Sequence, residues 1–195
     1  MKRREALKQS GWLAGGAIAL PTLASVLQSC STQDPLDWQP VFLDESEARF
    51  ISTFVDTILP ATDTPGGLDV KVDVFLDRVF AEGFPSDSQE NVRSSIAEMN
   101  QECIDAYGTK LPELSEEDRK AQFQKWEENT ATFNSGVWGT SVGEQKPVGF
   151  YRQLKSSALW GYFTSEEIGK NVLRYDPIPG AYDACIPLDG KLWSS

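Results

Sequence analysis

The 195-residue chain contains no histidine, three cysteines and two methionines. Without histidine there is no imidazole base, no Ser-His-Asp or Cys-His nucleophile system, no His-ligated haem and no His-containing zinc site. Three cysteines are too few for an all-cysteine iron–sulfur or zinc site within one chain. Basic residues are scarce: 18 Lys and Arg stand against 29 Asp and Glu, a formal net charge of -11. That balance argues against nucleic acid as a partner, since phosphate counterions are displaced by a basic face. No Gly-x-Gly-x-x-Gly follows a strand pattern, so no Rossmann-type flavin or nicotinamide site is expected, and Cys-x-x-Cys-His is missing. Alternating strands, internal repeats and low-complexity blocks are also absent. No metal site and no resident cofactor are expected in this chain.

What is present describes a folding globular protein with room for one domain: 40% hydrophobic, 11% aromatic and 24% charged residues. The first thirty residues read as an address. Lys2, Arg3, Arg4 and Lys8 precede an uncharged run from Gly11 to Leu27, and Leu27-Gln28-Ser29-Cys30 follows. A basic start, an apolar middle and a small residue before a cut describe an export signal over residues 1–29. The Arg3-Arg4 pair reads as a twin-arginine signal, recognised by the translocon that carries folded proteins. The ending reads as a lipobox, with Cys30 as the lipidated mature N-terminus and residues 30–43 as a tether. Losing residues 1–29 removes four basic residues and one acid, which moves the net charge from -11 to -14. Such a surface is repelled by anionic lipid, so membrane attachment rests on the lipid anchor alone. An address for folded cargo on a chain without a cofactor motif suggests service to a partner that holds one.

Residues 44–195 read as a single, mostly α domain, a bundle of five to six helices with a long irregular C-terminal arm. Asp44-Glu45-Ser46-Glu47 is a capping-box start, with Phe50, Ile51, Phe54, Val55, Ile58 and Leu59 on one face and Pro60 as the stop. Ala61–Gly67 is a loop. Asp69 is expected to cap a second helix running to about Glu82, with Val70, Val74, Phe75, Val79 and Phe80 inward. A third opens at Pro85-Ser86, carries Val92, Ile96, Met99, Cys103 and Tyr107, and ends at Gly108. Ser115 begins a fourth with Phe123 and Trp126. After an irregular stretch, Pro147 opens a fifth with Phe150, Tyr151, Leu154, Ala158 and Leu159, and Thr164 or Ser165 a short sixth. From Tyr175 onward the chain should be coil, and its aromatic and aliphatic residues imply that this arm either wraps back on its own domain or packs onto another protein.

Several constellations invite chemistry. Asp69, Asp73 and Asp77 recur every fourth residue, a spacing read as a solvated helix face rather than a catalytic pair. They lack the Gly and terminal Glu of a calcium loop. Asp56, Asp63 and Asp183 lie beside turns, where capping is the simpler account. Trp38, Trp126, Trp138, Trp160 and Trp193 suit sugar stacking or burial, with burial the default. A stand-alone sugar-active enzyme using Asp56 or Asp63, and an envelope lipoprotein that binds carbohydrate or scaffolds other proteins, are the alternatives to an accessory role. Cys103 and Cys185 are candidates for an internal disulfide. Burial as a small hydrophobe competes for Cys103, and pairing with another chain competes for Cys185.

Three segments resemble a known family: the Arg3-Arg4 start; Phe54 to Gly66 (FVDTILPATDTPG); and Phe150 to Lys155 (FYRQLK) followed by Gly161 to Glu166 (GYFTSE) and Arg174 to Cys185 (RYDPIPGAYDAC). Together they resemble the gluconate 2-dehydrogenase subunit 3 family. The likeness runs from residue 54 to 185, with no matching motif between Gly83 and Lys146. It implies a small, non-catalytic subunit of a periplasmic sugar or gluconate dehydrogenase in a Gram-negative bacterium. The large partner is then a flavoprotein of the glucose–methanol–choline type that holds FAD, with a cytochrome c subunit or another acceptor taking electrons. The small subunit supplies the export signal and helps the large one mature. On this reading the C-terminal arm makes much of the partner contact, through Arg174, Tyr175, Pro177, Pro179, Gly180, Tyr182, Cys185 and Trp193.

Overall fold

The computed structural model describes residues 36–131, 136–137, 140–141, 147–173 and 180. The chain divides into two units, residues 1–37 and 38–195, and the second contains every element that follows. Its helices are α1 (Glu45–Ile58), α2 (Val72–Arg78), α3 (Ser86–Tyr107), α4 (Glu116–Asn129) and α5 (Phe150–Phe163). π-helical turns follow α2 at Val79–Gly83 and α5 at Ile168–Val172, and a 3-10 turn, Leu111–Glu113, precedes α4. The domain is thus mostly α, as the periodicity predicts. Gly136–Val137 and Thr140–Ser141 add one two-residue antiparallel ladder, pairing Gly136 with Ser141 and Val137 with Thr140.

Helix boundaries follow local chemistry. Asp44 accepts the Glu47 amide N–H at 2.8 Å while Glu47 accepts the Asp44 amide N–H at 2.9 Å, which completes the expected capping box. Ser115 caps α4 by accepting from the Asp118 amide. Gly108 closes α3 at φ 83, a left-handed conformation that glycine adopts without strain. The second helix departs from expectation. Asp69 accepts from the Gly66 amide at 2.7 Å instead of capping, residues 68–71 turn, and Lys71 sits at φ 59 before α2 begins at Val72. That later start rotates the buried face. Val72, Leu76 and Phe80 are buried, whereas Val70, Val74, Phe75 and Val79 are only half-buried.

α1 lies at the centre, packed against α2, α3 and the 3-10 turn, and α5 packs on α2 and α4. The core is aromatic. Phe54 is fully buried and its ring lies 6.2 Å from Phe50, 5.1 Å from Phe123 and 5.8 Å from Tyr151 between centroids. These contacts tie α1 to α4 and α5 through side chains of high apolar area. Val92, Ile96, Met99 and Cys103 form the buried stripe of α3.

Candidate functional site

The most heavily bonded feature of the structure is a clasp between the segment ahead of α1 and two carboxylates of α2. Asp77 is 1% exposed and Asp73 is 3% exposed. The Asp77 carboxylate accepts three successive backbone N–H groups, from Val41 at 2.6 Å, Phe42 at 3.1 Å and Leu43 at 2.8 Å. Asp73 Oδ2 accepts the Trp38 indole N–H at 3.0 Å and the Ser52 hydroxyl at 2.7 Å, while its Oδ1 accepts the Val74 amide at 2.9 Å. From the other side, Arg93 of α3 donates to the Phe42 carbonyl and to Glu47, and its guanidinium sits 4.4 Å from the centre of the Phe42 ring.

This overturns the reading of Asp73 and Asp77 as a solvated face. A buried carboxylate is tolerated where N–H donors replace its water, and successive amides of a curved segment supply them. Asp69 alone of the three stays exposed. With three of about four acceptor positions on each carboxylate filled by these donors, and both side chains closed to solvent, the two acids hold the strap of residues 38–43 in place rather than face a substrate.

The segments that carry the family likeness meet at a second junction. The Tyr162 hydroxyl donates to the Pro65 carbonyl at 2.7 Å. The loop after α1 is closed by the Gly67 amide donating to the Leu59 carbonyl at 2.7 Å. A Cβ on Gly161 would lie 2.6 Å from the Phe75 ring, so the absence of a side chain there sets the close approach of α5 to α2.

The start of α5 is fastened to the end of α4. Arg152 donates to the Glu127 carboxylate at 2.6 Å and to the Glu127 and Thr130 carbonyls, and Lys155 donates to the same carboxylate at 2.7 Å. The Lys155 hydrogen bond, helped against a desolvation penalty by that of Arg152, holds the Glu127 carboxyl below its ordinary range. Burial, reinforced by the Glu127 charge, pushes the Tyr151 hydroxyl up to about 12. Burial, followed by the charge of Glu102, pushes the Cys103 thiol up to about 11.

The latter two shifts give a pH prediction. Unfolded Cys103 ionises near 9 and Tyr151 near 10, while the folded groups keep their protons to about 11 and about 12. The unfolded chain therefore sheds protons first, and stability falls as pH rises through these windows, by up to about 1.4 kcal/mol per pH unit for each group. Urea titrations from pH 8 to 11 should show this decline, and Cys103→Ala should flatten the part between 9 and 11. A wild-type profile flat over that range would contradict it.

Other sequence-predicted residues fall as follows. Asp56 is exposed and lines a cleft of about 310 Å3 with Thr57, Pro60, Glu116, Arg119 and Lys120, a groove of mixed charge. Asp63 is exposed on its loop. Trp126 is buried and donates to Glu102 at 2.6 Å. Cys103 is a free, buried thiol. Its candidate disulfide partner Cys185 lies outside the described residues, as do Arg3, Arg4, Cys30, Arg174, Tyr175, Pro177, Pro179, Tyr182, Asp183 and Trp193. Gly180 is described and exposed. Among the described residues no group of three or more Cys, Asp or Glu is placed to hold a metal ion, and no helix is long and apolar enough to cross a membrane.

Sequence reasoning missed Asp73, Asp77 and the Arg152–Glu127 fastening. The available signal for the first two was a short helix with Val72, Val74, Phe75 and Leu76 interleaved among its acids, which leaves no purely polar face.

No curated protein and no solved structure matches the chain. A family model does match, described as gluconate 2-dehydrogenase subunit 3, over residues 45–180. That span runs from the first residue of α1, one position after its Asp44 cap, past the second π-helical turn, and so takes in the buried acids, the Pro65–Tyr162 junction and the Arg152 fastening. On the strength of that match, the chain belongs to the gluconate 2-dehydrogenase subunit 3 family, as a subunit of a dehydrogenase complex.

Proposed function

We propose that this chain is the non-catalytic small subunit of a periplasmic, FAD-dependent sugar or sugar-acid dehydrogenase. Hydride transfer occurs on the flavin of a glucose–methanol–choline type partner, which also passes electrons onward, in complexes that include one, to a cytochrome c subunit. This subunit supplies the twin-arginine signal through Arg3 and Arg4, assists maturation of the flavoprotein, and ties the complex to the membrane through a lipid on Cys30. The observation that carries the reading is the family match over residues 45–180. It is supported by the commitment of the two buried α2 carboxylates to structure rather than to a substrate. A fold that keeps its interior acids for its own strap has the character of a scaffold.

Co-expression with a flavoprotein partner of the glucose–methanol–choline type tests the reading. The expected product is a yellow envelope complex in which flavin absorbance and sugar-dehydrogenase activity copurify with this chain. With Arg3→Lys and Arg4→Lys together, the flavoprotein should remain in the cytoplasm. A colourless chain isolated alone, or a partner exported equally well beside the double variant, would overturn the assignment.

A further inference from the structure

An aromatic face on α2 and α5 is the part of the described surface least accounted for by the fold. Trp160 is 59% exposed and Phe163, almost one turn further on, is 41% exposed. The Trp160 ring rests on half-buried Phe75 of α2, with centroids 5.4 Å apart. Among the described residues the Trp160 indole N–H has no hydrogen-bond partner, in contrast to those of Trp38 and Trp126. Single exposed apolar residues such as Val41 and Tyr107 need no explanation. An open tryptophan packed on Phe75, with a second exposed ring, Phe163, almost one turn along the same helix, is a different case.

Charge at the margin specifies what fits. A notch of about 470 Å3 opens between the loop after α1 and the turn that follows α5, and Asp69, Glu166 and Glu167 stand on its walls. Glu166 also pairs with Lys170 at 2.7 Å, so the excess at the rim is acidic but partly balanced. The chain as a whole carries -11, which disfavours a second copy against this rim.

We infer that the Trp160–Phe163 face of α5 is a docking surface for the catalytic flavoprotein subunit, which meets it with an apolar centre and a basic side chain seated in the acidic notch. This rests on the function proposed above and names a surface separate from the C-terminal arm. Tryptophan at the middle of an interface is the residue type whose truncation costs most. The acidic rim contributes orientation and association rate.

The test uses the full chain co-expressed with its flavoprotein and captured through a tag on this chain. Flavin recovered with Trp160→Glu, and separately with Phe163→Glu, should fall at least about tenfold, while circular dichroism and melting temperature stay near wild type. Glu167→Lys should weaken capture by about threefold to tenfold, an effect that added salt erases. Tyr107→Glu, on α3, should leave capture unchanged. Undiminished flavin with both aromatic variants would overturn the inference while leaving the proposed function intact. A free chain that sediments as a dimer, and becomes monomeric with Trp160→Glu, would also overturn it by assigning the face to a second copy. No flavoprotein captured by the wild-type chain would bring down both.

Discussion

Asp77→Ala is expected to cost about 3–4 kcal/mol of folding stability, an unusually large effect for one exchange on a short helix. Three backbone amides donate to this carboxylate, and charge-assisted bonds of this type contribute about 1.5–3 kcal/mol each. The full sum does not apply, because Val41 is 71% exposed and water can replace the carboxylate there. Leu43 is 6% exposed, and its amide would be left without a partner. Asp77→Asn keeps the shape but turns an amide N–H toward backbone N–H groups, and should cost about 2 kcal/mol. Urea unfolding gives the magnitudes. Hydrogen exchange gives the location, since amides 41–43 should lose protection before those of α1. An alanine variant within about 0.5 kcal/mol of wild type would show that the strap contributes nothing to the fold.

Phe54→Ala should be comparably severe, at about 3–5 kcal/mol, with a drop in melting temperature of roughly 10 °C. The side chain is fully buried at the meeting of α1, α4 and α5, among the rings of Phe50, Phe123 and Tyr151. Three large rings on separate backbones cannot all shift to fill the vacated space, so much of the cavity persists. Phe54→Leu keeps most of the volume and should cost less than half as much. Thermal unfolding followed by circular dichroism separates the two. Equal losses for Ala and Leu would mean that ring geometry, rather than filled volume, governs this core.

Much of this architecture was legible because its signals are local. The Asp44–Glu47 box, the Ser115 cap, the Gly108 stop and the stripe Phe50, Ile51, Phe54 and Val55 each depend on neighbours within one or two turns. The family match was likewise legible, since the ILPATDTPG and FYRQLK segments are distinctive as strings. The clasp was not. Acids at every fourth position on a helix look alike in sequence whether they face water or a passing segment. What decides is the tertiary placement of Trp38 and Val41 to Leu43, more than thirty positions away along the chain. The start of α2 was misplaced for a related reason. Asp69 has the right side chain for a cap, yet the Gly66 amide claims it first. Nothing local distinguishes Arg152 from any other helical arginine until the end of α4 is laid beside it.

The strap also sets a leash. In the anchored subunit proposed above, eight residue steps separate Cys30 from Trp38, a contour of at most about 28 Å when pulled straight. Were Trp38 and the amides up to Leu43 released, the same lipid would allow the helical body to rise to roughly 50 Å above the bilayer surface. Under the lipid attachment proposed above, two interior carboxylates on one short helix would therefore set the altitude at which a partner riding on this subunit works.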